Sequence, residues 1–178
     1  MWRQVDKSGG NCFIFEPKFV NMSSATSLLG EFECRIDEKS RIIFPSKLKK
    51  QLPPAAEGKF TIINGIDPCL VIYPQNEWNL IVEKINKLDF FKTENRVFVH
   101  HYYRGLFSTV LDSQNRLLLP KPQFPYAGID KEVILFAYSN CIEVWDKEKY
   151  TKMISVQPPD FAEMAERVMG RKQTEEGS

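Results

Sequence analysis

Apolar and polar residues alternate from Glu31 to Ile36: Phe32, Cys34 and Ile36 share one side, and Glu31, Glu33 and Arg35 the other. A period of two marks a half-buried β-strand. Asp37-Glu-Lys-Ser40 then supplies turn chemistry, since Asp and Ser side chains bond nearby backbone N–H groups. Arg41–Phe44 reads as a second strand, and Pro45 suits the first turn of a short helix with Leu48 and Leu52 inward and Lys47, Lys49 and Lys50 outward. Lys59–Ile63 and Cys69–Tyr73 are two further strands, after which Trp78, Ile81, Val82, Ile85 and Leu88 recur at helical spacing as a core-facing stripe. Residues 90–105 support two readings. Thr93 is placed to cap a helix, whereas Val97, Phe98, Val99, Tyr102 and Tyr103 favour a strand on propensity. Near the C-terminus, Asp160 with Glu163 predicts a capped helix carrying Phe161, Met164, Ala165 and Val168 on one stripe and stopping at Gly170.

Much of this pattern occurs twice. Ile-Asp-Glu-Lys-Ser-Arg-Ile-Ile-Phe-Pro at 36–45 is echoed by Leu-Asp-Ser-Gln-Asn-Arg-Leu-Leu-Leu-Pro at 111–120, an offset of 75. Lys59–Ile63 then matches Lys131–Leu135, and Cys69–Tyr73 matches Cys141–Trp145, at an offset of 72. Two copies of one supersecondary unit with a shortened loop account for both offsets. The expected organisation is an N-terminal extension over 1–30, a first repeat over 31–77, a connecting helical segment over 78–105, a second repeat over 106–150, and a C-terminal helix and tail over 151–178. Pro122 and Pro125 predict a weaker or broken short helix in the second copy. Residues 1–21 are expected to be a disordered extension, or to precede an internal start at Met22, and the last eight residues a disordered tail.

Composition narrows the function. At 178 residues, with 43% hydrophobic and 26% charged residues, the chain has the make-up of a soluble globular protein. No apolar run approaches the ~20 residues needed to span a bilayer, and the first 30 residues lack a basic start followed by an apolar core, so a secretory signal is not expected. Cys12, Cys34, Cys69 and Cys141 form no CxxC pair and read as reduced thiols of a cytosolic protein. The net charge of +1 gives no global support for a nucleic-acid partner. Locally the balance differs: residues 35–50 carry a balance of +4, and the equivalent 110–125 only +1.

Candidate chemistry is sparse. His100 and His101 are adjacent, so neither a strand nor a helix lets them share a metal, and no phosphate loop, GxSxG or HExxH is present. An enzyme using Asp37 or Asp112 lacks an evident base or nucleophile partner, and no cofactor, metal or small-molecule substrate is expected. The repeated Asp-x-x-x-Arg supports two readings. Asp37–Arg41 and Asp112–Arg116 each tie down a turn, or each turn projects a basic tip in which Lys39 and Arg41 meet phosphates or base edges. Both roles are compatible, with Asp shaping the loop and Arg making the contact.

The run Gly30–Pro45, then Asp67–Leu70, Tyr73-Pro74, Glu77-Trp78, Leu111–Pro120 and Ile142–Asp146, resembles the MraZ family, in order, over roughly residues 30–150. The resemblance implies a β-rich α+β fold: two AbrB-like swapped-hairpin repeats in one compact β body with flanking helices. It implies a bacterial transcriptional regulator of the division and cell-wall gene cluster and of its own promoter, acting as a ring-shaped homo-oligomer on double-stranded DNA with repeated promoter boxes, in the cytoplasm and nucleoid. Repression is the expected sense. Carried over by residue, Arg41 leads the DNA-contact candidates with Lys39 beside it, Arg35 and Lys47 extend the basic patch, and Arg116 is the second-copy equivalent. Asp37, Asp112, Ser40 and Asn115 shape the loops. The family usually places Gly before the motif Arg. Asn115 tolerates a positive φ, whereas Ser40 does so less readily, which leaves the shape of the first loop open. Gln114 lacks the charge of Lys39, so the first copy is expected to dominate binding. The competing reading is an antitoxin-type interaction module whose Asp–Arg loops serve assembly.

Overall fold

The computed structural model describes residues 27–170. The expectations for residues 1–21 and for the last eight residues lie outside these. The first repeat contains β1 (Leu28–Arg35), β2 (Arg41–Ile43), helix α1 (Ser46–Lys49), β3 (Lys59–Asn64) and β4 (Leu70–Pro74), followed by α2 (Gln75–Ile85) and α3 (Thr93–Tyr102). The second contains β5 (Phe107–Val110), β6 (Arg116–Leu118), α4 (Phe124–Ala127), β7 (Glu132–Ser139) and β8 (Cys141–Asp146), followed by α5 (Lys147–Ile154) and α6 (Phe161–Met169). The fold is a β-rich α+β body.

Six strands form one antiparallel sheet in the order β1-β7-β8-β4-β3-β5, and β2 pairs with β6 in a separate two-stranded ribbon. The first strand of each repeat pairs with the third strand of the other: Phe32 lies opposite Leu135, and Thr109 opposite Phe60. This is the swapped arrangement. Its pseudo-two-fold axis passes through two residue pairs, Val71–Glu143 between β4 and β8 and Ile42–Leu117 between β2 and β6. Neither repeat is complete alone, because each supplies a strand to the other's hairpin.

Pairing also corrects one equivalence. Ile62 faces Ile72 in the first hairpin as Leu135 faces Val144 in the second, so β3 and β7 correspond at an offset of 73, not 72. Burial agrees: Phe60 and Ile62 enter the same core as Val133 and Leu135. A slip of one residue would have turned every side chain of the strand to the opposite face.

The sheet has two apolar faces. One is closed by the β2–β6 ribbon and by α1 and α4, with Ile42, Phe44, Leu48, Leu117 and Leu119 buried against Phe60, Ile62, Leu70 and Leu135. The other carries Ile63, Cys69, Val71, Ile134 and Cys141 beneath Trp78 of α2 and Tyr150 of α5. β1 begins at Leu28, three residues ahead of Glu31, and alternates as expected, with Phe32 and Cys34 packed on the core and Glu31, Glu33 and Arg35 exposed. The broken helix after Pro120 is present as a 3-10 turn, Lys121–Gln123, running into the one-turn α4.

Residues 93–102 are helical. The aromatic residues that favour a strand are satisfied by stacking instead: Tyr102 lies parallel to Trp78 at 6.3 Å between ring centroids, and Tyr103 tilts against the same indole at 5.7 Å. Thr93 is not the cap. Lys92 holds that position, and the Arg96 guanidinium secures the entry by donating to the carbonyls of Phe90 (2.7 Å) and Phe91 (2.8 Å). Asp160 does stand at the N-cap of α6, but its side chain accepts no capping hydrogen bond and lies 3.9 Å from Arg167. Among the described residues no helix is long and apolar enough to cross a membrane.

Candidate nucleic-acid interface

The two Asp-x-x-x-Arg turns are near-copies. In the first, Asp37 Oδ1 accepts from the backbone N–H of Lys39 (2.9 Å) and Arg41 (2.8 Å), while Arg41 Nε donates to Oδ2 at 2.8 Å. In the second, Asp112 Oδ1 accepts from Gln114 (2.8 Å) and Arg116 (2.9 Å), and Arg116 Nε donates to Oδ2 at 2.7 Å. One carboxylate thus serves as both turn cap and anchor for the arginine. The cost of ionising it falls accordingly. The Arg41 side chain, then its backbone N–H, hold the Asp37 carboxyl down at about 2, and Arg116 lowers that of Asp112.

Ser40 and Asn115 sit at φ +60° and +57°, so the first loop keeps the same shape as the second. The question the sequence left open at Ser40 is thus answered: serine takes the left-handed conformation here. The reason is external to the turn: Ser40 O accepts from Leu119 N–H (2.8 Å), and Asn115 O accepts from Phe44 N–H (2.9 Å), so each left-handed residue is clamped by the other repeat. Ser40 is also 92% buried, with 8% of its surface exposed, and the ribbon holds it in place.

The β2–β6 ribbon brings Arg41 and Arg116 to one groove, which Arg35, Lys121 and Lys131 also line. Asp130 and Glu38 share that groove and offset part of the charge. Among the described residues Arg35, Lys39 and Lys47 make no ion pair, and Lys39 and Lys47 are exposed outside the groove, on the turn and on α1. Arg41, by contrast, keeps a quarter of its side chain exposed (24%), with NH2 at 2.6 Å from Asp37 Oδ2. Of these candidates, Lys39, Lys47 and Arg35 are the cations without an ion pair among the described residues, whereas Arg41 and Arg116 are each oriented by an aspartate.

Two contacts had no signal in the sequence. Lys49 Nζ donates to Asn115 Oδ1, tying α1 of the first repeat to the turn of the second across 66 residues. Lys121 and Lys131 reach the groove only because the swap carries the second repeat's loop beside β1. His100 and His101 lie on α3, and no group of three or more His, Cys, Asp or Glu that could hold a metal occurs among the described residues.

A strand-swapped, pseudo-symmetric β body carrying paired acid-anchored basic turns defines a duplicated-module protein of the swapped-hairpin class. The family model of the MraZ protein, described as antitoxin-like, matches the chain twice, over residues 27–100 and 103–172, and the chain belongs to the MraZ family. It is 40% identical over 145 residues to a protein of Christiangramia forsetii named transcriptional regulator MraZ, covering 81% of this chain and 94% of that one. A protein of the same name from Flavobacterium psychrophilum is 37% identical over 151 residues (84% and 96%), and one from Clostridium acetobutylicum 38% over 124 residues (70% and 84%).

Proposed function

We propose that this protein is a transcriptional regulator that binds double-stranded DNA sequence-specifically, as a homo-oligomeric ring in the cytoplasm and nucleoid. Its targets are its own promoter and the division and cell-wall cluster, which it represses. The observation that carries this reading is the pair of turns in which an aspartate pre-orients an arginine beside unpaired lysines. Pre-orientation matters because a planar guanidinium held by its Nε edge still offers its remaining N–H groups to a phosphate or a guanine edge. Lys39, Lys47 and Arg35 then supply phosphate contacts around it, and Arg116 repeats the arrangement with less charge. The relatives' name, transcriptional regulator, supports the class.

One turn with two or three phosphate contacts binds weakly and fades with salt. Several copies on a ring engage repeated boxes together, so effective concentration multiplies modest affinities. The test is a gel shift on the DNA upstream of the gene. Arg41→Ala is expected to abolish the shift while assembly is retained, and Lys39→Ala to weaken binding across sequences and lower the salt slope by about one. Normal promoter binding by Arg41→Ala would refute the assignment. The antitoxin-like description of the family favours the interaction-module reading, which predicts no preference of the wild type for that DNA at low ionic strength.

A further inference from the structure

The β2–β6 ribbon has an inner and an outer face. Ile42 and Leu117 point inward and are fully buried, so alternation sends Arg41, Ile43, Arg116 and Leu118 outward. Two of these four are aliphatic and reach solvent, Ile43 being 72% and Leu118 40% exposed. They hold the same place in the two repeats, two residues beyond the motif arginine. Register sets each beside the arginine of the other repeat, Ile43 opposite Arg116 and Leu118 opposite Arg41. Phe44 N–H donates to Asn115 O and Leu119 N–H to Ser40 O, so the outward pairs fall between the ladder bonds. Facing side chains come closest at such positions. The ribbon thus presents two arginine–aliphatic pairs, related by the pseudo-axis through Ile42 and Leu117.

We infer that Ile43 and Leu118 are specificity residues: in the major groove of double-stranded DNA they cover the C5-methyl groups of thymines beside the bases that Arg41 and Arg116 contact. This rests on the DNA-binding reading above and adds to it a second kind of base readout. The thymine methyl is the one apolar group that base-pair edges present in the major groove. The phosphate backbone, by contrast, offers an aliphatic side chain nothing to cover. Dimensions agree, since two strands about 4.8 Å apart make a ribbon that the ~12 Å groove admits. The surroundings agree as well. Ile43 lines the same groove as Arg41 and Arg116, where Arg35, Lys121 and Lys131 outweigh Glu38 and Asp130. An apolar tip held between cations reaches bases while its neighbours meet the flanking phosphates. Ile43 is the more exposed of the two aliphatics, so it contributes more than Leu118.

The test uses the full chain and the DNA upstream of its gene, amplified with either dTTP or dUTP, so that the second duplex lacks only the thymine methyls. The wild type should bind the uracil duplex at least about fourfold more weakly, the equivalent of one carbon returned to water. Ile43→Ser combined with Leu118→Ser alters outward positions, so its melting curve and sedimentation should match the wild type. That variant should bind the thymine duplex more weakly by a similar factor and no longer distinguish the two duplexes. Its salt slope should be unchanged, because no cation is lost. Equal binding of both duplexes by the wild type, or an undiminished uracil penalty in the variant, overturns the methyl contact and leaves the DNA-binding reading standing. Altered sedimentation of a normally melting variant would place this face against a second copy and overturns the contact too. The wild-type comparison decides the question even where the variant melts early. A wild type that binds its upstream DNA no better than a scrambled duplex of equal length at low salt defeats both readings.

Discussion

Ser40 offers a direct measure of how the two repeats hold each other. At φ +60° it occupies the left-handed region, which costs an L-residue roughly 1–2 kcal/mol. Replacing it by glycine removes that strain and restores about 0.5–1 kcal/mol of unfolded-chain entropy cost, for a net stabilisation of about 0.5–1 kcal/mol. Its bonds to Leu119 and Asp37 run through the backbone carbonyl and N–H, which glycine keeps. Asn115→Gly is the control. Asn visits the left-handed region more readily, and its Oδ1 accepts from Lys49, so the same change there should be neutral or destabilising. Urea unfolding at fixed protein concentration reads the difference. With a slope of about 2 kcal/mol/M, Ser40→Gly should raise the midpoint by roughly 0.25–0.5 M. A lowered midpoint with unchanged slope would mean that the ribbon, by its own bonds, has made the left-handed residue free of strain.

Three further outcomes follow from the same geometry. Ile42, fully buried on the pseudo-axis opposite Leu117, should cost about 2–5 kcal/mol when cut to alanine, seen as a lowered unfolding midpoint, and a loss below 1 kcal/mol would show the ribbon core to be loosely packed. Because the folded carboxyl of Asp37 is lowered to about 2 from 3.8, its contribution to stability is complete above the unfolded value and disappears as pH falls through the folded one. A carboxyl-carbon NMR titration should therefore place its midpoint near 2, and an Asp37→Asn variant should flatten the acid limb between about pH 4 and 2. Burial pushes the thiols of Cys34 and Cys141 up to about 11 and that of Cys69 to about 12, so all three should react slowly with iodoacetamide at pH 8 when labelled peptides are mapped by mass spectrometry, and rapid labelling at any of these three in the folded protein would contradict the packing.

What was legible in the chain is local. The duplicated turn, its aspartate cap, the alternation of β1, the stripe of α2 and the broken helix after Pro120 depend on residues within one or two turns of each other, where spacing dictates which side chains meet. α3 was ambiguous for the opposite reason. Its own residues lean towards a strand, and only the Trp78 indole beneath Tyr102 and Tyr103 selects the helix. Asp160 had the right neighbours for a cap, yet its carboxylate lies near Arg167.

The candidate site divides in the same way. The sequence by itself marked Asp37–Arg41 and Asp112–Arg116 as turn-shaping pairs, because a carboxylate four residues ahead can reach the backbone N–H, and left open whether each guanidinium is paired or projects outward; the structure shows both held by their aspartates. Only the tertiary structure decided which strands exchange, that the offset is 73 along β3 and β7, that Ser40 is forced to the shape of Asn115, and that both arginines share a groove with Lys121 and Lys131. Strand partners are chosen by burying two apolar faces at once across more than a hundred residues, as in Phe32 opposite Leu135, and no local periodicity encodes that choice.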